Sequence, residues 1–202
     1  MAESRAQLIG QRDTLSRICK AWLTRLRRCE PASLHYPDGK HREATQLGIV
    51  TTTSETAFTQ SAETVYDFVT NPENWTKTYP GSAHIGNLPE LPLKVGDTWQ
   101  EAGPDGDRIF SWQLAAAVRP TLFVFTSLGR LGHDRAGNGG LDGRITVQYR
   151  FSRPGQDITL FARTMTIEAR KDTPLPDRLF QQANPARIDE YHEAIAREFS
   201  RT

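Results

Sequence analysis

The stretch Ser61-Ala62-Glu63-Thr64-Val65-Tyr66-Asp67-Phe68-Val69-Thr70-Asn71-Pro72-Glu73-Asn74-Trp75, followed by Tyr79-Pro80-Gly81, decides the fold. Ser61 is a good N-cap, with Glu63 and Thr64 in the first turn, and Val65, Phe68 and Val69 fall on one helical face. Pro72 cannot continue that helix but suits the start of another. The segment therefore predicts a short amphipathic helix, a hard stop, a second helical turn carrying Trp75, and a turn into a strand.

Upstream, Ile49 to Phe58 is rich in Thr and other β-branched residues and predicts a first strand. Downstream, period-two segments follow at His84–Leu88, Thr98–Ala102, Arg108–Val118, Leu122–Leu128, Arg144–Ser152 and Asp157–Glu168. Turn residues separate them: Pro104-Asp105-Gly106, Arg119-Pro120, the Gly-rich 129–143 segment and Pro154-Gly155. Consecutive strands joined this way make an antiparallel meander. From Pro174 the pattern is helical again, with Leu175, Leu179 and Phe180 as a first stripe. Asn184-Pro185 then reads as N-cap and N1 proline of a last helix, with Ile188, Tyr191, Ile195 and Phe199 on one face. A single curved sheet cannot bury its concave face alone, and only this last helix is long enough to cover it. The expected class is α+β, with an internal cavity between sheet and helix.

The V-Y-D-F-V-T-N-P-E-N-W…Y-P-G run (Val65–Trp75, Tyr79–Gly81) resembles the opening of the polyketide cyclase/dehydrase-like, START-related superfamily of helix-grip (SRPBCC) proteins. Three later pieces agree: Val95-Gly96-Asp97-Thr98-Trp99, Phe110-Ser111-Trp112, and Arg119-Pro120 through Phe125. The resemblance spans roughly residues 46 to 200 and implies a START/Bet v 1-like sheet gripping a helix around a hydrophobic tunnel. It implies a shared cavity rather than a shared set of catalytic residues.

Residues 1–44 read as a basic amphipathic helical extension and linker ahead of a 45–202 helix-grip domain. Leu8, Leu15, Ile18, Trp22, Leu26 and Cys29 make a narrow apolar stripe among arginines, and Pro31, Pro37 and Gly39 mark the linker. Three readings stay open for the extension: contact with an anionic membrane or a partner, docking on its own domain or self-association, or a barely structured leader. It carries nine Lys/Arg against five Asp/Glu, while the whole chain has a net charge of +1. No global field argues for nucleic acid. No apolar run approaches the ~18–20 residues of a membrane span, and no signal-peptide h-region precedes Cys19 and Cys29. The expected location is the cytoplasm.

If the apolar strand faces point inward, the ligand-binding wall comprises Trp75, Tyr79, Trp112, Phe123, Phe125, Tyr149, Phe161 and Met165, with Ile188 and Tyr191 above. The competing reading is that these residues simply pack as core. In Leu122–Ser127 both faces are apolar, which predicts a strand covered twice. Polar groups on the same faces are the candidates for chemistry. Arg163, if inward, would bind a carboxylate or enolate oxygen through its planar fork; a bulge would turn it to solvent. His84 could serve as a general base at the cavity mouth or be solvated. Tyr149 offers a hydroxyl to ligand or backbone. Glu101 and Asp97 flank Trp99, with Asp97 suited to capping its turn. His35, His41, His84, His133 and His192 lack zinc-site spacing, so no metal is expected and no cofactor is implied. The mouth is expected between Trp75/Tyr79, the Gly-rich 129–143 hairpin as a flexible tip, and the start of the last helix near Asn184.

Two functions compete on this reading. A binding protein for a small hydrophobic or aromatic, lipid- or polyketide-like molecule needs only the cavity. A polyketide cyclase/dehydratase-type enzyme needs ionisable groups converging inside it.

Overall fold

The structure, a computed structural model, describes residues 48–201 apart from 105, 107, 156, 171–174 and 176–183. The expected extension and linker over 1–44, and the stripe residues Leu179 and Phe180, lie outside the described residues. The strands run β1 (Ile49–Phe58), β2 (His84–Gly86), β3 (Thr98–Ala102), β4 (Ile109–Val118), β5 (Leu122–His133), β6 (Gly139–Gly155) and β7 (Ile158–Ala169). Helices α1 (Ala62–Val69) and α2 (Trp75–Thr78), with a short 3-10 turn Pro72–Asn74 between them, follow β1; α3 (Pro185–Phe199) follows β7. All strands join one antiparallel sheet in the order β1-β7-β6-β5-β4-β3-β2. Thus β2 to β7 are a continuous meander, and β1 closes onto the far edge.

Local chemistry explains the boundaries. Ser61 accepts from the Thr64 amide at 3.1 Å, Asn71 from Glu73, and Asn184 from Ala186, so α1, the 3-10 turn and α3 start on side-chain caps, whereas α2 continues from the turn without one. The α1–α2 elbow is locked by Trp75, whose Nε1 donates to the Val69 carbonyl at 2.8 Å. Asp67 clamps Arg119 of the β4–β5 turn through two hydrogen bonds of 2.7 and 2.8 Å. Both partners are more than half exposed, so this clamp orients α1 and adds little to stability.

The concave face carries the buried side chains. On α3, Ile188, Tyr191, His192 and Ile195 are buried while Arg187, Glu190, Glu193 and Arg197 are exposed. α3 packs on β1 and α2, and Phe199 meets Phe58 and Phe68. No helix among the described residues is long and apolar enough to cross a membrane.

Two expectations are corrected. The 129–143 segment is a ladder for most of its length, with pairs from Leu128↔Arg144 to His133↔Gly139. The reason is the cross-strand pair Leu131↔Leu141, 1% and 8% exposed, which anchors the glycine-rich strands. The tip is only Asp134–Asn138, where Asp134 Oδ1 accepts from the Ala136 and Asn138 amides. Second, the β5 start is not buried on both faces: Phe123, Phe125 and Ser127 are buried, whereas Leu122, Val124 and Thr126 are only half-buried.

One buried group makes stability pH-dependent. His192 is 2% exposed; its Nδ1 lies 2.8 Å from Thr56 Oγ1, and Nε2 has no partner among the described residues. Burial, aided by the positive charge of Arg163, lowers its pKa from 6.5 to about 3. The folded protein therefore keeps His192 neutral while the unfolded chain takes up a proton below about pH 6.5. Stability from this group is complete above that pH and is lost as pH falls toward 3. Between neutral pH and about pH 5 the loss is up to about 2 kcal/mol. Urea unfolding at both pH values is expected to show this loss, and to show it much reduced in His192→Gln.

Candidate functional site

Alternation along the inner strands sets the site. On β7, Thr159, Phe161, Arg163, Met165 and Ile167 are all buried, in phase. The β6–β7 register shifts only between Ser152 and Gly155, so no bulge turns Arg163 outward. It stands opposite Tyr149 of β6 and is 5% exposed. On β3 and β4 the inward set is Trp99 opposite Trp112 and Glu101 opposite Phe110, with buried Leu114 next in phase on β4.

These faces enclose a pocket lined by Trp75, Tyr79, Trp112, Phe125, Tyr149, Met165 and Tyr191 from the sequence-predicted wall, together with Arg163, a candidate for chemistry. Glu101, Arg108, Phe110, Ile145, Val147, Gly81 and Arg187 complete it. The enclosed volume is about 50 Å³, room for a few waters and far below the ~300–1,000 Å³ of ligand-filled sites. The expected roomy tunnel is nearly filled by its own aromatic side chains.

Three predicted wall residues are core instead. Phe123 packs on Tyr66 and Phe125, Phe161 sits between Phe151 and Tyr149, and Ile188 is fully buried; none borders the pocket. His84 is not at the mouth: it is exposed on edge strand β2, opposite Ala102. No residue of 129–143 borders the pocket either, so the proposed hairpin gate is corrected. The rim is Tyr79–Gly81, Arg108 and Phe110, and Arg187 of α3; the last of these does place the start of the final helix at the mouth. Trp75 lies deeper, 4% exposed and stacked on Phe125 at 5.0 Å.

The polar groups are few and specific. Glu101 is 6% exposed, and its Oε2 accepts from Trp112 Nε1 at 2.7 Å. Burial pushes its carboxyl pKa up, against the pull of the Trp112 hydrogen bond and the Arg163 charge. The Tyr149 and Tyr191 hydroxyls are 3.4 Å apart, and burial raises both phenols' pKa values. The Arg163 guanidinium lies over the rings of Tyr79 and Tyr191, 5.4 and 5.8 Å from their centroids. Its Nη2 reaches the Met165 sulfur at 3.8 Å, the Tyr149 hydroxyl also acts on the guanidinium, and Nε and Nη1 have no partner among the described residues. Asp97, as expected, caps its turn by accepting from the Lys94 amide at 2.7 Å.

Sequence reading named Glu101 only as flanking Trp99 and gave it no place in the pocket, although its in-phase spacing with Trp99 was visible. Arg108 and Arg187 carried no signal, since each sits at the start of an element where polar residues are ordinary.

No family model matches the sequence, and no curated protein matches it. Solved structures match the fold. Ara h 8.0201 is 16% identical, over 76% of this chain and 99% of its own, with a TM-score of 0.56. A START superfamily protein from Mycobacterium smegmatis is 14% identical, over 76% and 99%, with a TM-score of 0.53. DynU16, from the dynemicin biosynthetic locus, is 13% identical, over 74% of this chain and 47% of its own, with a TM-score of 0.50. The chain has the START/Bet v 1-like helix-grip fold.

Proposed function

We propose that this protein binds a small hydrophobic or aromatic molecule, of lipid or polyketide type, between the concave sheet face and α3. The observation that carries this reading is a pocket whose wall is aromatic, from Trp75 and Trp112 to Tyr149 and Tyr191, with a few polar groups inside it. Because the enclosed volume is only about 50 Å³, a ligand must displace side chains to enter. The rim at Tyr79–Gly81 is the segment suited to move, since it is a turn following the four-residue α2.

Native mass spectrometry of the freshly purified full chain tests the proposal, alongside titration with the neutral aromatic 2-naphthol. The expected results are a non-covalent adduct that disappears on denaturation, and saturable quenching of tryptophan emission by 2-naphthol. Absence of both would mean that the aromatic set is simply core.

A second reading, a cyclase/dehydratase-type enzyme, is favoured by one observation: Glu101 and Arg163 line the same pocket. A buried carboxyl with a raised pKa can donate a proton, and a guanidinium can hold an enolate oxygen. The comparison structure from a biosynthetic locus fits that reading. Glu101 and Arg163 make no ion pair, however, so the binding reading ranks first. Glu101→Gln separates the two: turnover of a polyketide-like substrate would vanish while binding persists.

A further inference from the structure

We propose that the molecule bound here is an acid, whose carboxylate or enolate oxygen seats on the Arg163 guanidinium while its apolar body lies against Trp112, Phe125 and Tyr149. The inference rests on the proposed binding function and names the class of ligand.

The argument starts from an imbalance inside the protein. Arg163 is 5% exposed and stays charged at any physiological pH, with five N–H donors in a rigid fork. Burying such a charge is costly unless it is paired and hydrogen-bonded. Here Nε and Nη1 have no acceptor among the described residues; Nη2 reaches a thioether sulfur, a weak acceptor, and the neutral Tyr149 hydroxyl also acts on the fork. The Tyr79 and Tyr191 rings offset part of the cost by cation–π attraction, but supply no acceptor for the fork.

The groups facing Arg163 do not provide the missing anion. Tyr79, Tyr149 and Tyr191 are neutral phenols. Glu101 borders the same pocket, yet one oxygen is taken by Trp112 and neither lies within ion-pair distance of Arg163. On α3, His192 is held neutral. At the rim, Arg108 and Arg187 add positive charge and no acid. A pocket whose buried guanidinium has unused donors, and whose one carboxyl makes no ion pair with it, is shaped electrostatically for an anion. An oxyanion can take Nη1 with Nη2, or Nε with Nη2, in either case replacing the sulfur contact. The planar apolar remainder then meets the rings of Phe125, Trp112 and Tyr149, the latter two edge-on to Phe125.

The test compares two probes of nearly equal shape, 2-naphthoate and 2-naphthamide, titrated into the full chain, Arg163→Met, Arg163→Lys and Arg187→Gln. Wild type is expected to bind the acid at least about 10-fold more tightly than the amide, the discrimination of one charge-assisted hydrogen bond. Arg163→Met is expected to keep amide binding and lose the preference, Arg163→Lys to keep part of it, and Arg187→Gln to keep most. Equal affinity of wild type for both probes would overturn the inference while leaving the binding function standing. Preference that survives Arg163→Met but falls in Arg187→Gln would overturn it too, placing the acid at the rim. Binding of neither probe would overturn both. Should Arg163→Met fail to fold, the wild-type probe pair and Arg163→Lys still decide.

Discussion

Arg163→Met is expected to raise the stability of the folded chain by about 1–4 kcal/mol, although it alters a side chain at the centre of the domain. Most buried substitutions destabilise, by cavity or lost contact. Here the wild-type residue carries a desolvation cost that no carboxylate among the described residues offsets by an ion pair, and its Nε and Nη1 find no acceptor among them. Methionine fills similar space along the aliphatic stem beside Met165 and needs no partner. The lost contacts are the cation–π pair over Tyr79 and Tyr191, worth about 1–2 kcal/mol. Removing the unpaired charge outweighs them. Equilibrium denaturation in urea at neutral pH measures the difference. A variant less stable than wild type by more than about 1 kcal/mol would show that Arg163 is already partnered in solution. A residue that costs stability and leaves donors unpaired among the described residues is one whose value lies in what it binds.

Phe125→Ala is expected to have the opposite effect, costing about 3–5 kcal/mol. Phe125 is 3% exposed and is the hub of the aromatic cluster. It stacks on Trp75 at 5.0 Å, meets Trp112 edge-on at 5.0 Å and Tyr149 at 5.4 Å, and touches Trp99 and Phe123 at 5.8 and 5.7 Å. Its removal joins the lost ring volume to the existing void, so the stability cost is expected to come with tighter binding of bulkier aromatic probes. A cost below about 1 kcal/mol would show that the pocket is already open in solution and that Phe125 is a loose wall.

Much of this architecture was legible because backbone period and side-chain chemistry agreed. Ile49–Phe58 and Thr98–Ala102 were read to their observed ends, since β-branched alternation and turn residues mark both limits. Asn184-Pro185 fixed the start of α3 by capping alone. The Gly-rich 129–143 segment misled because glycine density signals a loop, whereas the pairing of Leu131 with Leu141 across the hairpin is decided by burial. At the site, phase alone put Trp112, Tyr149 and Met165 on the wall. It could not separate Phe123 and Phe161 from that wall, because residues in phase share a face whether they border space or one another. Glu101 was given no place in the pocket because an acid on an alternating strand ordinarily points to solvent; its burial depends on Trp112, one strand over. The narrowness of the pocket was not legible at all, since it arises from how rings of four strands and two helices interdigitate.

The most direct test of the central claim is a crystal structure of the full chain grown with 2-naphthoate. The account predicts density for the ring system between Trp112, Phe125 and Tyr149, with the carboxylate on Arg163 and the Tyr79–Gly81 rim displaced. Density confined to an outer groove, whether against Thr98, Gln113 and Thr126 or beside Leu91, Pro92 and Arg119, with the inner aromatic cluster unchanged, would contradict it.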